Sequence, residues 1–195
     1  MLGDIKDSYL FNQLKFKKDK LSDGSYGNSI ANSDNIEIIY HGGPIEVSKP
    51  ILTRIGFAKD FGFGFYCTKI KDQAYSWASR KKRRDGDPNI GYVSIFEYNA
   101  CTDLKIKIFR SANDEWLDFI VKSRKGISSD YDIVEGPMAD DRVYNYLDDY
   151  IKGELTKEEF FILAKNVDKT HQIAFLSDKA INQLKFRKSE VVKWC

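Results

Sequence analysis

The chain reads as a single α+β domain, and three observations point there. Short apolar segments of strand character are scattered among helical segments, with no regular βαβ alternation. The helical segments carry apolar residues at three- and four-residue spacing and open on capping residues. With 195 residues and 42% hydrophobic content, the chain is long enough to bury one core, with or without an arm.

Taken in order, residues 1–35 are the least organised and are set apart as an N-terminal arm or linker, leaving 36–195 as the domain. Ser22 to Asn35 is rich in Ser, Asn, Gly and Asp, without periodicity. Upstream of it, residues 11–18 (FNQLKFKK) echo residues 181–188 (INQLKFRK). One echo does not make a solenoid. It reads as the remnant of a duplication, or as an arm that competes for the place where the C-terminal segment packs.

Ile36 to Tyr40 predicts a strand, Pro44 to Gly56 a loop, and Gly64 to Thr68 a strand running into a turn. Lys71 to Arg83 predicts a helix that buries Ala74, Trp77 and Ala78, with Thr68 as its cap. Tyr92 to Tyr98 and Leu104 to Phe109 predict strands; in the second, Leu104, Ile106 and Ile108 alternate with Lys105 and Lys107. Asn113 caps a helix through Lys125, with Trp116, Leu117 and Ile120 inward and Gly126 as the stop. Tyr131 to Val134 is a short strand, and Ala139 to Lys152 a helix with Val143, Leu147 and Ile151 on one side. Thr156 and Glu159 form a capping box for the next helix. Gln172 to Leu176 is a strand, Asp178 to Gln183 a short helix, and Lys185 to Val192 a closing strand.

Charge gives no global case for nucleic-acid binding: 31 basic residues face 29 acidic ones, a net of +2. The dense basic run Arg80 to Arg84 suits a solvated helix C-terminus, with contact to a phosphate backbone as the alternative. The three cysteines, Cys67, Cys101 and Cys195, lack metal-ligand spacing and read as reduced thiols in the cytoplasm. There is neither an 18-residue apolar run nor a secretory signal pattern, so no membrane association is expected.

The stretch that organises the rest is Tyr40-His41-Gly42-Gly43, answered by Asp60-Phe61-Gly62-Phe63-Gly64-Phe65-Tyr66-Cys67-Thr68. Glycine lets a backbone approach a ligand closely, and a tyrosine held by such a turn can lay its ring on a planar group. These residues suit a flat heterocycle carried on ribose; the alternative is two glycine turns beside a core tyrosine.

Tyr-His-Gly followed by Phe-Gly-x-Gly-Phe-Tyr resembles the paired motif of ADP-ribosyltransferases of the diphtheria-toxin and poly(ADP-ribose) polymerase branch, over about Ile36 to Lys193. The resemblance implies a split β-sheet core around an NAD cleft, NAD as co-substrate and no metal. It implies transfer of ADP-ribose to a macromolecular acceptor, protein or nucleic acid, by a bacterial toxin or effector paired with an antitoxin. By that resemblance His41 bonds a ribose hydroxyl, Gly42 offers its backbone to the carboxamide, and Tyr66 stacks on nicotinamide. Gly43, Gly64 and Thr68 complete the NAD contacts.

Two positions depart from the pattern. The family's late-strand glutamate is Gln172 here, which can hold a ribose 2′-hydroxyl but cannot take a proton at neutral pH. Gly43 stands where relatives carry Ser or Thr. Glu135 or Asp140, beside a Gly-Pro turn, is a candidate for the missing carboxylate. Replacing Gln172 by glutamate is expected to keep much of the activity. Rival readings are a non-catalytic NAD or ADP-ribose-binding module and an NAD glycohydrolase. Ranked last is phosphate transfer from RNA 2′-phosphate, which wants several cleft arginines where only Arg54 is near.

Overall fold

The computed structural model describes residues 36–52, 58–80, 89–99, 103–139, 141–164 and 167–193. The expected arm, Arg54, Lys81 to Arg84, Cys101, Asp140 and Cys195 lie outside them. The described residues form an α+β fold of two sheets. In the first, β1 (Glu37–Gly43), β3 (Ile90–Tyr98) and β7 (Leu184–Lys193) run antiparallel with β3 in the middle. In the second the order is β2 (Phe65–Cys67), β6 (Gln172–Phe175), β5 (Ile133–Gly136) and β4 (Ile106–Ile108). Only the β4–β5 pair there is parallel. Tyr40 and Thr68 join the sheets by exchanging two backbone hydrogen bonds of 2.9 Å.

Strand alternation sorts the core into layers. Ile39, Phe96 and Tyr98 of the first sheet meet Phe65, Ile133, Ile173 and Phe175 of the second between the sheets. On the far side of the second sheet, Val134 and Ala174 pack against α2 (Asp114–Arg124), α3 (Asp141–Lys152) and α4 (Lys157–Leu163). Trp116, Leu117, Ile120, Leu147 and Phe160 are fully buried there. The far side of the first sheet, Val93 and Ile95, is covered by α1 (Lys71–Arg80) through Ala74 and Ala78. A four-residue α5 (Asp178–Ile181) leads into β7.

The local signals act as their chemistry requires. Asn113 accepts the Trp116 N–H at 2.9 Å, Thr156 and Glu159 cap each other's backbone, and Ser177 accepts the Ala180 N–H at 3.1 Å. Some expectations need correction. Thr68 does not cap α1; its Oγ1 accepts the N–H of Ile70 at 3.1 Å and closes the turn before the helix. Trp77 is only half-buried. Ile108 is 56% exposed while Phe109 turns inward, because β4 is a three-residue edge strand whose pairing ends there. The strand expected at Tyr131 starts at Ile133, since the Asp132 carboxylate accepts from the Lys105 N–H and the Ser177 hydroxyl instead.

Helix α1 lies unusually close on its sheet, and two glycines make room for it. A Cβ on Gly42 would stand 2.0 Å from the Ala74 carbonyl oxygen, and one on Gly91 2.3 Å from that of Ala78. Backbone cannot give way as a flexible side chain can, so the helix would have to lift. Gly91→Ala is expected to cost about 1–3 kcal/mol, read from urea unfolding midpoints. An unchanged midpoint would mean that α1 does not pack this tightly.

Candidate functional site

The site forms where the C-terminal end of β1 meets β2. Successive residues of a strand direct their N–H and C=O to opposite sides. Tyr40 directs its pair toward Thr68, so Gly42, two residues on, directs its own toward the same edge of β1, away from β3. His41 is half-buried, and its ring stacks on Phe65 with centroids 4.5 Å apart. Its Nδ1 lies 2.7 Å from the Tyr66 carbonyl oxygen. A carbonyl only accepts, so Nδ1 carries a hydrogen, and the ring's other nitrogen is Nε2. That nitrogen lies beside Gly43, where a Cβ would come within 3.3 Å of it.

Tyr66 is tied down by the turn that precedes it. Lys59 and Gly62 exchange backbone hydrogen bonds, with Gly62 at φ +100°, a conformation that glycine adopts readily. The Tyr66 hydroxyl donates to the Gly62 carbonyl at 2.7 Å and accepts the Phe61 N–H at 3.1 Å. Burial, then the charge of Asp60, pushes its phenol far above the ordinary value, so it stays protonated. The Lys59 ammonium lies 4.5 Å from the ring centroid. Gly64 is small for a packing reason: a Cβ there would stand 2.6 Å from the Phe175 carbonyl oxygen.

Behind Tyr66 lies a buried polar network centred on Asp60, which is 5% exposed. Asp60 Oδ1 accepts from the guanidinium of Arg124, and Oδ2 accepts the Ala139 N–H at 2.8 Å and Gln172 Nε2 at 3.1 Å. Gln172 Nε2 also donates to the Pro137 carbonyl at 3.1 Å, which Trp116 Nε1 reaches at 3.0 Å. The Arg124 guanidinium also faces the Tyr144 ring at 4.5 Å, while its Nε is buried without a partner.

On the other face of the second sheet, Glu135 gathers a charged cluster. Its Oε1 accepts from Lys69 at 2.8 Å and from His171 Nε2 at 3.1 Å, and Lys69 also pairs with Glu37 at 2.9 Å. His171 Nδ1 accepts the Lys69 backbone N–H at 3.1 Å, so its hydrogen sits on Nε2. The Gln73 carboxamide clasps the His171 backbone at both N–H (3.0 Å) and C=O (2.6 Å). Burial works to raise the Glu135 pKa. The His171 hydrogen bond and the Lys69 ammonium outweigh it, and the carboxyl ends below its ordinary value. For Lys69, burial lowers the pKa, but Glu135 and Glu37 hold it above the ordinary value.

These shifts fix the sign of a pH effect. A carboxyl depressed by folding stabilises the protein above its unfolded pKa of roughly 4.3, and that contribution is lost as pH falls through the folded value. The raised Lys69 contributes below roughly pH 10.4, a contribution lost as pH rises through its folded pKa. Glu135→Gln is expected to cost about 1 kcal/mol at neutral pH, a gap that closes in acid. Melting of wild type and variant across the acid range reads it; a gap that persists unchanged would detach Glu135 from the cluster.

The structure therefore brings His41, Gly42, Gly43 and Tyr66 together, with Gln172 joined to the Tyr66 turn through Asp60. At Gly42 and Gly64 backbone packing by itself calls for glycine, since a Cβ at either would meet a carbonyl oxygen. Thr68 is buried and occupied by Ile70, with His171 Nδ1 at 3.4 Å. Glu135 sits with His171 on the face opposite Gln172. Tyr75, which reads as helix decoration, is half-buried and donates its hydroxyl to Glu190. Sequence reasoning missed Asp60 and Arg124 altogether. The only trace of them was an acidic residue opening the Phe-Gly-x-Gly motif.

No helix among the described residues is long and apolar enough to cross a membrane. A family model described as "Protein of unknown function (DUF3990)" matches residues 37–186, from the first residue of β1 to Phe186 in β7. No curated protein matches the chain.

Proposed function

From a chain that belongs to the DUF3990 family, described as of unknown function, we propose an NAD-dependent ADP-ribosyltransferase acting on a macromolecular acceptor. The observation that carries this is the junction of the two sheets. There Gly42 follows the Tyr40–Thr68 bridge with its outward edge, the His41 ring is held by the Tyr66 carbonyl, and Gln172 is tied through Asp60 to the turn that precedes Tyr66. This donor set suits a carboxamide-bearing ring on ribose. Adjacent N–H and C=O groups at Gly42 can pair with a carboxamide, and an imidazole such as that of His41 can bond a hydroxyl. Tyr66 offers a rigid ring whose hydroxyl is already satisfied and over one face of which the Lys59 ammonium stands.

Bound NAD supplies an activated sugar, because nicotinamide leaves as a neutral molecule when its bond to ribose breaks. The protein's part is positioning, a contribution that can reach several kcal/mol when reacting groups are held in place. His41 is held by the Tyr66 carbonyl and the Phe65 ring, so its imidazole is oriented before any ligand arrives. The split-sheet core and a role as a toxin paired with an antitoxin belong to this proposal through the resemblance alone.

The rival reading, an NAD-binding module without turnover, is favoured by one observation: Gln172 places an amide where the related enzymes place an acid. Labelled NAD incubated with the protein and a cell lysate separates the two. Label on protein or nucleic acid together with free nicotinamide is the expected result. Nicotinamide without label means a glycohydrolase, and binding without nicotinamide means the module.

A further inference from the structure

Gln172 has a fixed polarity, and its neighbours impose it. Both groups facing its Nε2, the Asp60 carboxylate and the Pro137 carbonyl, can only accept, so both amide hydrogens are engaged at 3.1 Å. Its Oε1 meets no donor among the described residues. Asp60 cannot turn to relieve this arrangement. Arg124 holds Oδ1 and the Ala139 N–H holds Oδ2.

We propose that Asp60, anchored by Arg124, is a positioning residue that presents Gln172 as a one-sided hydrogen-bond acceptor for a ligand hydroxyl and excludes glutamate from position 172. That the hydroxyl belongs to the nicotinamide ribose rests on the function proposed above; the fixed polarity does not. Among the described residues, Asp60 from the turn faces Gln172 directly, Arg124 from α2 holds the far oxygen of Asp60, and the Tyr66 phenol from β2 feels the same carboxylate. A glutamate in the same place would set a second carboxylate about 3 Å from Asp60 and against a carbonyl oxygen, and two carboxylates that close do not both ionise. The expectation that Gln172→Glu keeps much of the activity therefore reverses. The glutamine is a requirement of its surroundings.

Two measurements on the full-length protein test this. Gln172→Glu is expected to melt roughly 5–10 °C below wild type near pH 8. The gap should narrow near pH 5, because a carboxyl whose pKa is raised by folding adds no penalty below its unfolded pKa. Gln172→Met, which carries no charge, should show a gap that does not move with pH. Calorimetry then compares NAD with an analogue lacking the 2′-hydroxyl of the nicotinamide ribose. Wild type should prefer NAD by about tenfold, one hydrogen bond's worth, and Gln172→Met should bind both alike.

A pH-independent gap for Gln172→Glu would show that the amide does not face Asp60 and would overturn the proposal. NAD binding without discrimination in the wild type overturns the acceptor role while leaving the transferase reading standing. A pH-dependent gap without any NAD binding removes that reading, and the ribose with it, but keeps the Asp60–Gln172 polarity.

Discussion

Asp60→Ala is expected to lower the unfolding free energy by about 3–5 kcal/mol, the range for breaking a buried ion pair by removing one partner. For a chain of this size that corresponds to a fall of roughly 6–20 °C in melting temperature. The substitution strands three donors at once. The Arg124 guanidinium loses its counter-charge, and the Ala139 N–H and Gln172 Nε2 lose their acceptor. Arg124 is already short of one partner at Nε, so it has little capacity to absorb the loss. Removing both members of the pair should cost less than removing Asp60 alone, because no charge is then left buried. Thermal melts of Asp60→Ala, Arg124→Met and the double variant decide the matter. Additive losses would mean that the two side chains do not interact.

The second large effect concerns turnover. His41→Ala is expected to slow nicotinamide release from NAD by about 10²-fold or more, a barrier increase of roughly 3 kcal/mol. Its stability should change far less than that of Asp60→Ala, because His41 is half-buried at a strand end. The variant removes the oriented imidazole and also frees the Tyr66 carbonyl that held it. A His41→Ala protein that matches wild type in rate would take His41 out of the site and leave it as packing on Phe65.

Much of the fold was legible because its causes are local. The Asn113 cap, the Thr156–Glu159 capping box and the three- and four-residue spacing of Trp116, Leu117 and Ile120 act within a single turn of chain. The first part of the site was legible for the same reason, since Tyr40 to Gly43 and Asp60 to Thr68 are continuous stretches. Glycine was harder to read. Its absence of a side chain is visible in sequence, but whether a ligand or a neighbouring backbone needs that space is not. At Gly42, Gly64 and Gly91 the neighbour is backbone.

By itself, then, the sequence determined the α+β character, the run of helices and strands, and the two glycine-bearing stretches that meet at Tyr40 and Thr68. Only the tertiary structure decided what Asp60 and Gln172 are. An aspartate in a glycine turn and an arginine in the last turn of a helix both read as solvated surface charges. Here their partners stand 64, 79 and 112 positions apart in the chain, and burial converts them into the interior support of the site. Hydrogen-bond polarity is a property of what faces a group, and a one-dimensional pattern carries no record of what faces it. That is why the sequence could name the glutamine at this strand end, and only the fold could show that its amide faces a buried carboxylate.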